Sequence, residues 1–294
     1  MKSRWIINVL LLLLVLGIGA FIKLRPQQEL KVETSYEISS LKLGAVSKLS
    51  IEFPAKASII FEKKDGYWYL AQPMKARADQ MMVQRIISLV GAKSAQKFAA
   101  QDLTQFGLDQ PKLKLKFDDE EFVFGTFNPV TSEQYVSYKD SVFLLPVVYA
   151  ENAQSPVEEY LDKSPFKPNE RKQVVGFDFS HLEQWEQVRL NVDLVDGAWK
   201  VSDPKAKPKQ NEMNDWFDAY WRNISVQRVE PYTPDRKTPY PSFEVKLADG
   251  KKVHFDKIQE SPELLLGRPD EGMMYHMPMD IGFTLMNPPI NAGK

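Results

Sequence analysis

The chain has 294 residues, no cysteine, and 38 Lys and Arg against 39 Asp and Glu, for a net charge of −1. Lack of cysteine excludes disulfides, thiol nucleophiles, iron–sulfur ligation and thiolate zinc sites, and the absent basic excess argues against a nucleic-acid binder, which must release counterions. A hydrophobic content of 43% suffices for one large domain or two ordinary ones.

Trp5 to Ile22 form one apolar run, interrupted only by Asn8 and flanked by Lys2, Arg4, Lys23 and Arg25. At 1.5 Å per residue such a helix reaches about 27 Å, close to the hydrocarbon thickness of a bilayer. A transmembrane anchor is therefore expected over residues 1–25. The competing reading is a cleavable signal ending near Gly17-Ile18-Gly19-Ala20, but the run is longer than an h-region of roughly 7–15 residues. With no cysteine behind the run, lipoprotein anchoring is excluded. Basic residues flank both ends almost equally, so the positive-inside rule decides weakly. The expected location is the inner (cytoplasmic) membrane, single-pass, with the C-terminal body in the periplasm, a placement that an absence of cysteine fits. Residues 26–44 are expected as a juxtamembrane spacer, followed by two repeat units, 45–168 and 169–294.

The repeat is read from the turns. Asp65-Gly66-Tyr67-Trp68 recurs as Asp196-Gly197-Ala198-Trp199. Ile59, Phe61, Trp68 and Leu70 alternate around the first copy, and Leu190, Val192, Trp199 and Val201 around the second. Asp-Gly supplies the positive φ of a tight turn, and period-two alternation marks half-buried strands, so both stretches predict β-hairpins. A proline-basic loop follows each, with Lys75 and Arg77 in the first and Lys205, Lys207 and Lys209 in the second. Next comes a helix in each copy, with Asp79 and Asn211 as the expected N-caps. Met82, Val83, Ile86, Ile87 and Val90 stripe one helix, and Met213, Trp216, Phe217, Tyr220 and Trp221 the other. Further hairpins turn at Asp118-Asp119-Glu120 and Asp249-Gly250. Phe122-Val123-Phe124-Gly125 reads as the counterpart of Leu264-Leu265-Leu266-Gly267, and Tyr135 of Tyr275. The expected fold is α+β: a tandem repeat of two units, each a twisted, mainly antiparallel sheet with one packed helix, preceded by the transmembrane helix. Trp68 and Trp199 are expected as equivalent core residues.

The succession Ser47-Lys48-Leu49-Ser50-Ile51, Asp65-Gly66-Tyr67-Trp68, Pro73, Ala78-Asp79, Phe106-Gly107-Leu108-Asp109-Gln110-Pro111, Phe124-Gly125 and Tyr135-Val136 resembles the domain-of-unknown-function 4340 family over about residues 45–165. The second copy lacks the Gly-Leu-Asp-x-Pro element and carries Pro231-Tyr232-Thr233-Pro234 to Pro239-Tyr240-Pro241 instead. The resemblance implies a membrane-tethered, exported α+β protein, in some relatives beside gliding-type ABC-transporter components. It implies no chemistry and no functional residues.

Reactive constellations are sparse. His181, His254 and His276 have no metal-ligand spacing, and no serine sits in a Gly-x-Ser-x-Gly elbow. Ser39/Lys42, Ser94/Lys97, Ser164/Lys167 and Ser202/Lys205 match Ser-x-x-Lys as scattered coincidences in a lysine-rich chain. Gly267 to Gly272 has phosphate-loop spacing, yet Met273 stands where the lysine belongs. Asp118 to Glu121 suggests calcium but reads as a solvated hairpin tip. The run Met273-Met274-Tyr275-His276-Met277-Pro278-Met279 offers thioethers and an imidazole suited to Cu(I), against the simpler reading of methionines filling a core. Read as a strand, it puts Met273, Tyr275, Met277 and Met279 on one face. Pro231 to Pro241 would present a stiff extended ligand or serve as a rigid connector. The basic loops, Lys75/Arg77 and Lys205/Lys207/Lys209, would meet anionic headgroups or simply stay solvated.

The expectation is a non-enzymatic accessory or scaffold protein with no cofactor, whose partners are the membrane and a membrane protein complex such as an ABC-type transporter. The alternatives are an extracytoplasmic ligand- or Cu(I)-binding module and a cryptic cell-envelope enzyme.

Overall fold

Alternating apolar residues pair into two large antiparallel sheets. The computed structural model describes residues 14–19, 21, 35–235, 237 and 239–290, with the side chains of Met279 and Asp280 outside that description. Residues 14–19 and 21 are helical, with Leu14, Val15, Leu16, Ile18 and Phe21 exposed. Most of the expected anchor, Trp5 to Ile22, lies outside the described residues. Among the described residues no helix is long and apolar enough to cross a membrane.

The first part of the chain supplies β1 (Tyr36–Glu37), β2 (Lys48–Glu52), β3 (Ile59–Lys64), β4 (Tyr67–Gln72), β5 (Ala76–Arg77), β6 (Lys93–Ser94), β7 (Lys97–Ala99), β8 (Leu113–Phe117), β9 (Glu120–Asn128), β10 (Glu133–Tyr138) and β11 (Ser141–Pro146). The second part supplies β12 (Val174–His181), β13 (Asn191–Val195), β14 (Ala198–Val201), β15 (Arg228–Pro231), β16 (Ser242–Leu247), β17 (Lys252–Gln259), β18 (Leu264–Arg268) and β19 (Met273–Met277). The helices are α1 (Gln80–Ile87), α2 (Val148–Glu151), α3 (Pro168–Arg171), α4 (Gln210–Trp216, continued by a π turn over Phe217–Arg222) and α5 (Met279–Met286). One sheet has nine strands in the order β5-β4-β3-β2-β8-β9-β10-β11-β7, and the other eight in the order β14-β13-β12-β16-β17-β18-β19-β15. β1 and β6 form a separate ribbon, so the stretch expected as spacer over 26–44 already joins the fold at Tyr36, and Ile38 is buried.

Both Asp-Gly turns form as expected, with positive φ at Asp65, Gly66, Asp196 and Gly197. From β4 and from β14 the two sheets follow the same order in chain sequence, and β7 and β15 each close the far edge. That order corrects one expected correspondence. Phe122-Val123-Phe124 on β9 stands in the place of Val253-His254-Phe255 on β17, whereas Gly267 lies one strand later, on β18. Tyr135 on β10 and Tyr275 on β19 are likewise one strand apart. β8, β9, β16 and β18 all carry similar apolar alternation, so composition alone cannot register one strand against another. The expectation of one helix per sheet also changes: α4 and α5 both pack in the second part. Met279, read as the end of a strand, begins α5 after Pro278.

The Asp79 carboxylate caps α1, accepting from the Met81 and Met82 N–H groups. Asn211 does not cap α4; Lys209 occupies that position and Asn211 lies inside the helix. The first helical residue does something else in both places. Trp68 N–H donates to Gln80 Oε1 at 2.8 Å, and Gln80 Nε2 returns a bond to the Trp68 carbonyl at 3.0 Å. Trp199 N–H donates to Gln210 Oε1 at 2.7 Å, and Gln210 Nε2 to the Trp199 carbonyl at 2.8 Å. On β14, the edge of the second sheet, the amide side chain thus stands in for a neighbouring strand; beside β4, where β5 follows, the Trp68 carbonyl also accepts from the Ala78 N–H at 3.1 Å.

One hydrophobic cluster runs through both sheets. Under β2, β8 and β9 it contains Leu49, Leu115, Phe117 and Phe122 with Val83, Ile86 and Ile87 of α1. In the second sheet Phe177 meets Trp221 at 4.7 Å and Trp216 at 5.1 Å between ring centres. Three indoles then close the end of α5: Trp216 Nε1 donates to the Thr284 carbonyl at 2.7 Å, Trp221 to Leu285 at 3.1 Å and Trp185 to Met286 at 2.9 Å. The last turn of a helix leaves carbonyls without intrahelical donors; Thr284 also accepts from the Asn287 N–H at 3.3 Å, and the indoles add a donor to each of the three carbonyls.

Candidate functional site

The charged residues that matter most lie where the two sheets meet. β5 brings Arg77 to the edge of the first sheet. The segment between β11 and β12 brings Asp162, Ser164, Lys167 and Glu170. The turn from β18 to β19 brings Arg268, Asp270 and Glu271, and β19 itself Tyr275.

The Arg77 guanidinium grips Glu271 with two bonds, Nε to Oε1 and Nη2 to Oε2, each 3.0 Å. It also pairs with Asp162 and donates to the carbonyls of Ser164 at 2.6 Å and Phe166 at 2.9 Å, and to the Tyr275 hydroxyl at 3.1 Å. Its side chain is only 8% exposed. Burial opposes the cation, but Glu271, Tyr275 and Asp162 outweigh that and raise its pKa. Beside it Arg268, 1% exposed, grips Glu170 at 2.8 and 2.9 Å and reaches Asp270 at 2.8 Å and the Pro165 carbonyl at 2.7 Å. Burial alone would lift the Glu170 carboxyl, yet the hydrogen bonds and charge of Arg268 hold it below the ordinary range. Burial and the neighbouring Glu271 push the Tyr275 phenol up, so it stays a hydrogen-bond donor, at 2.8 Å from Glu271.

Such a cluster is a brace. Bidentate Arg–carboxylate pairs fix orientation as well as charge, and each buried charge here has a counter-charge. Next to the brace lies a cavity of about 390 Å³ between the sheets, walled by Tyr69, Leu70, Leu161, Val229 and Met273, with Lys75 on the rim. Its size falls in the range of small-molecule pockets, about 300–1,000 Å³. Among the described residues neither Lys64 nor Lys75, both lining it, has an ion-pair partner.

The residues singled out in the sequence are scattered differently. Arg77, expected in a solvated basic loop, is buried in the brace, because its planar fork finds two carboxylates and two carbonyls there. Lys75, Lys205, Lys207 and Lys209 are exposed. His181 is exposed, and His254 contacts Asp256 at 3.0 Å. His276 is 2% exposed, with Glu263 at 2.8 Å from Nδ1 and Glu230 at 3.2 Å from Nε2, so both ring nitrogens are engaged by carboxylates. Met273 and Met277 are buried in the core. Among the described residues no three His, Asp or Glu side chains converge to hold a metal ion. The Asp118 carboxylate accepts from the Ser47 hydroxyl at 2.7 Å and the Lys48 N–H at 2.9 Å, pinning its turn to β2. Ser164 donates to the Phe166 carbonyl and accepts from Arg171, while Lys167 faces Glu170, Asp270 and Glu271. Gly267 and Gly272 belong to a strand and its turn, with no helix opening behind them. Tyr232 is tied to the second sheet, its hydroxyl donating to Asp256 at 2.7 Å and its N–H to the Gly272 carbonyl at 2.8 Å, so at that point the proline-rich stretch is a connector.

A family model, Domain of unknown function (DUF4340), matches residues 68–242, more than half of the chain. The chain belongs to the DUF4340 family. The DUF4340 match opens at Trp68 and ends at Ser242, so it contains both Trp–Gln clamps, Arg77 and the connecting segment with Asp162 and Glu170. No curated protein and no solved structure matches the chain. The DUF4340 element Phe106-Gly107-Leu108 has a physical reading here. It lies against Gly125, where an added Cβ would collide with the Phe106 carbonyl.

Proposed function

We propose that the chain is a membrane-anchored, extracytoplasmic accessory or scaffold protein that engages a membrane complex such as an ABC-type transporter. We infer further that its two sheets are copies of one module, a reading supported by the shared strand order and by the paired clamps at Trp68 and Trp199. The observation that carries the functional reading is the brace. Arg77 joins β5 to Glu271 of the second sheet, and Arg268 joins β18 to Glu170. These residues are spent on holding two sheets in one geometry, which suits a platform for a partner more than a reaction centre. The apolar run Trp5 to Ile22 supports the tether, with the body in the periplasm of an inner-membrane protein.

Site-specific photo-crosslinking in cells tests this. A photoreactive residue at Lys75, on the rim of the seam, is expected to capture a membrane-complex subunit, and the same probe at exposed Lys200, on β14, is not. Equal capture from both positions, or none from either, contradicts the reading.

A second reading, a ligand-binding module, is favoured by the 390 Å³ cavity and by Lys64 and Lys75, which have no ion-pair partner among the described residues. The cavity lining also carries Glu62, Asp162, Asp270 and Glu271, so Lys64 and Lys75 are the side chains that would attract the head of a small amphipathic anion. Calorimetry with a medium-chain carboxylate, set against the matching amine, separates this from the platform reading.

A further inference from the structure

The chain enters the fold at one end of the first sheet, where an exposed Lys93–Glu37 pair flanks Tyr36 and several apolar side chains are also exposed. Tyr36 pairs with Ser94, and the Ser94 hydroxyl donates to the Leu144 carbonyl at 2.7 Å. Leu144 lies two residues from Pro146, which pairs with Glu133, and Glu133 pairs with Asn128. Residue 36 and the tip of the β9–β10 hairpin therefore sit at the same end of the sheet. The opposite end carries the Lys139-Asp140 turn.

Exposed apolar side chains gather at the entry end. Val130 at the hairpin tip is 90% exposed, Phe127 51%, Val148 at the start of α2 45% and Tyr36 38%. From Phe122 through Ser132 the sequence has no charged residue. The tip is built to stay out. Asn128 Oδ1 accepts from the Val130 N–H at 2.9 Å, the Ser132 N–H donates to the Asn128 carbonyl at 2.9 Å, and Asn128 Nδ2 donates to the Tyr135 hydroxyl at 3.1 Å. A turn fixed in this way does not fold back to bury Val130. Apolar patches kept exposed on a rigid element mark a contact surface.

The occupant follows from the tether, so this inference rests on the anchored reading above. Between Ile22 and Tyr36 lie residues 23–35, a stretch that reaches at most about 45 Å when fully extended. That leash ends at the same end of the sheet as the uncharged hairpin. We propose that this end of the first sheet is a lipid-facing surface, with the tip around Phe127 and Val130 seated at the boundary between headgroups and acyl chains. The anchor and the hairpin would then hold the body at two points and set its orientation over the bilayer.

Absence of cysteine makes a single-site label straightforward. Val130→Cys and, at the opposite end of the same sheet, Asp140→Cys are each labelled with an environment-sensitive fluorophore in the full chain, which is reconstituted into phosphatidylethanolamine–phosphatidylglycerol vesicles. Flotation reports the tether; the label reports the hairpin. The expected result is a blue-shifted, several-fold brighter signal at position 130 that spin-labelled lipid quenches, with the label at position 140 aqueous and quenched by iodide. An aqueous signal at 130 in chains that float with the vesicles overturns the lipid contact and spares the tether. A blue-shifted signal that lipid quenchers do not touch assigns the surface to protein and also overturns it. Chains that fail to float overturn both.

Discussion

Gln210 holds Trp199 by both of its backbone groups, at 2.7 and 2.8 Å, and Gln80 holds Trp68 in the same way in the other sheet. Each glutamine opens a helix and each tryptophan lies in the strand after an Asp-Gly turn, so one local device ties helix to hairpin twice. Gln80→Ala and Gln210→Ala are each expected to lower stability by about 1–3 kcal/mol, because each tryptophan N–H loses its side-chain partner, although the Trp68 carbonyl keeps the Ala78 N–H. Urea unfolding measures both. A large loss in one and none in the other would break the equivalence.

The three indoles that close α5 make a separate prediction. Trp216→Phe keeps most of the ring packing and removes the donor to Thr284, with an expected loss of about 1 kcal/mol. Trp221→Ala also empties space in the core and is expected to lose about 3–5 kcal/mol. If Trp216→Phe costs nothing in chemical unfolding, the donor role assigned to the indoles is mistaken.

The brace gives a dependence on acidity. Burial would raise Glu170 and Asp270, but Arg268 outweighs it and holds both carboxyls below their ordinary values. A folded-state pKa below the unfolded value of about 4 means that their contribution is full at neutral pH and is lost as pH falls through the folded values. The contribution of Glu170 and Asp270 is therefore expected to decline on acidification below about pH 4, opposite in sign to that of Asp162, whose carboxyl burial pushes up, and Glu170→Gln to flatten that decline while lowering stability at pH 7. Arg268→Met strands Glu170 in the interior and is expected to lose about 3–5 kcal/mol at neutral pH. Unfolding of wild type and both variants across pH 3–7 checks the sign.

Gly125 and Gly66 separate close approach from turn chemistry. A Cβ at 125 meets the Phe106 carbonyl and the Leu108 side chain, whereas one at 66 meets nothing within 4 Å and is opposed only by a φ of 83°. Gly125→Ala is expected to cost about 1–3 kcal/mol through forced backbone movement, more than Gly66→Ala. Thermal unfolding of the pair orders them, and the reverse order would contradict the role given to the Phe106-Gly107-Leu108 element.

Much of the fold is legible in the residues because its signals are local. Asp65-Gly66 and Asp196-Gly197 announce their turns, Asp79 announces a cap, and the stripe from Val83 to Val90 announces the buried face of α1 and of the 3-10 turn, Ser88–Gly91, that continues it. Strand correspondence is harder: Gly125 and Gly267 sit in similar apolar runs yet occupy different places in their sheets. The brace is less legible still. Arg77 lies 85 residues from Asp162 and 194 from Glu271, so no spacing rule connects them. One cue was present. Arg268 follows Leu264-Leu265-Leu266-Gly267, and an arginine ending an apolar strand demands a buried counter-charge. The clamp by Gln210 escapes for a related reason, since its partner is chosen by the hairpin and not by the helix it opens.

The tether is the claim on which the functional account depends most. Alkaline phosphatase fused after Lys294, which folds to an active form only outside the cytoplasm, tests it together with carbonate extraction of the membranes. The account expects an active fusion that stays in the membrane pellet with its N-terminus uncut. An inactive fusion, or an active one released to the soluble fraction and starting downstream of Ala20, would contradict it.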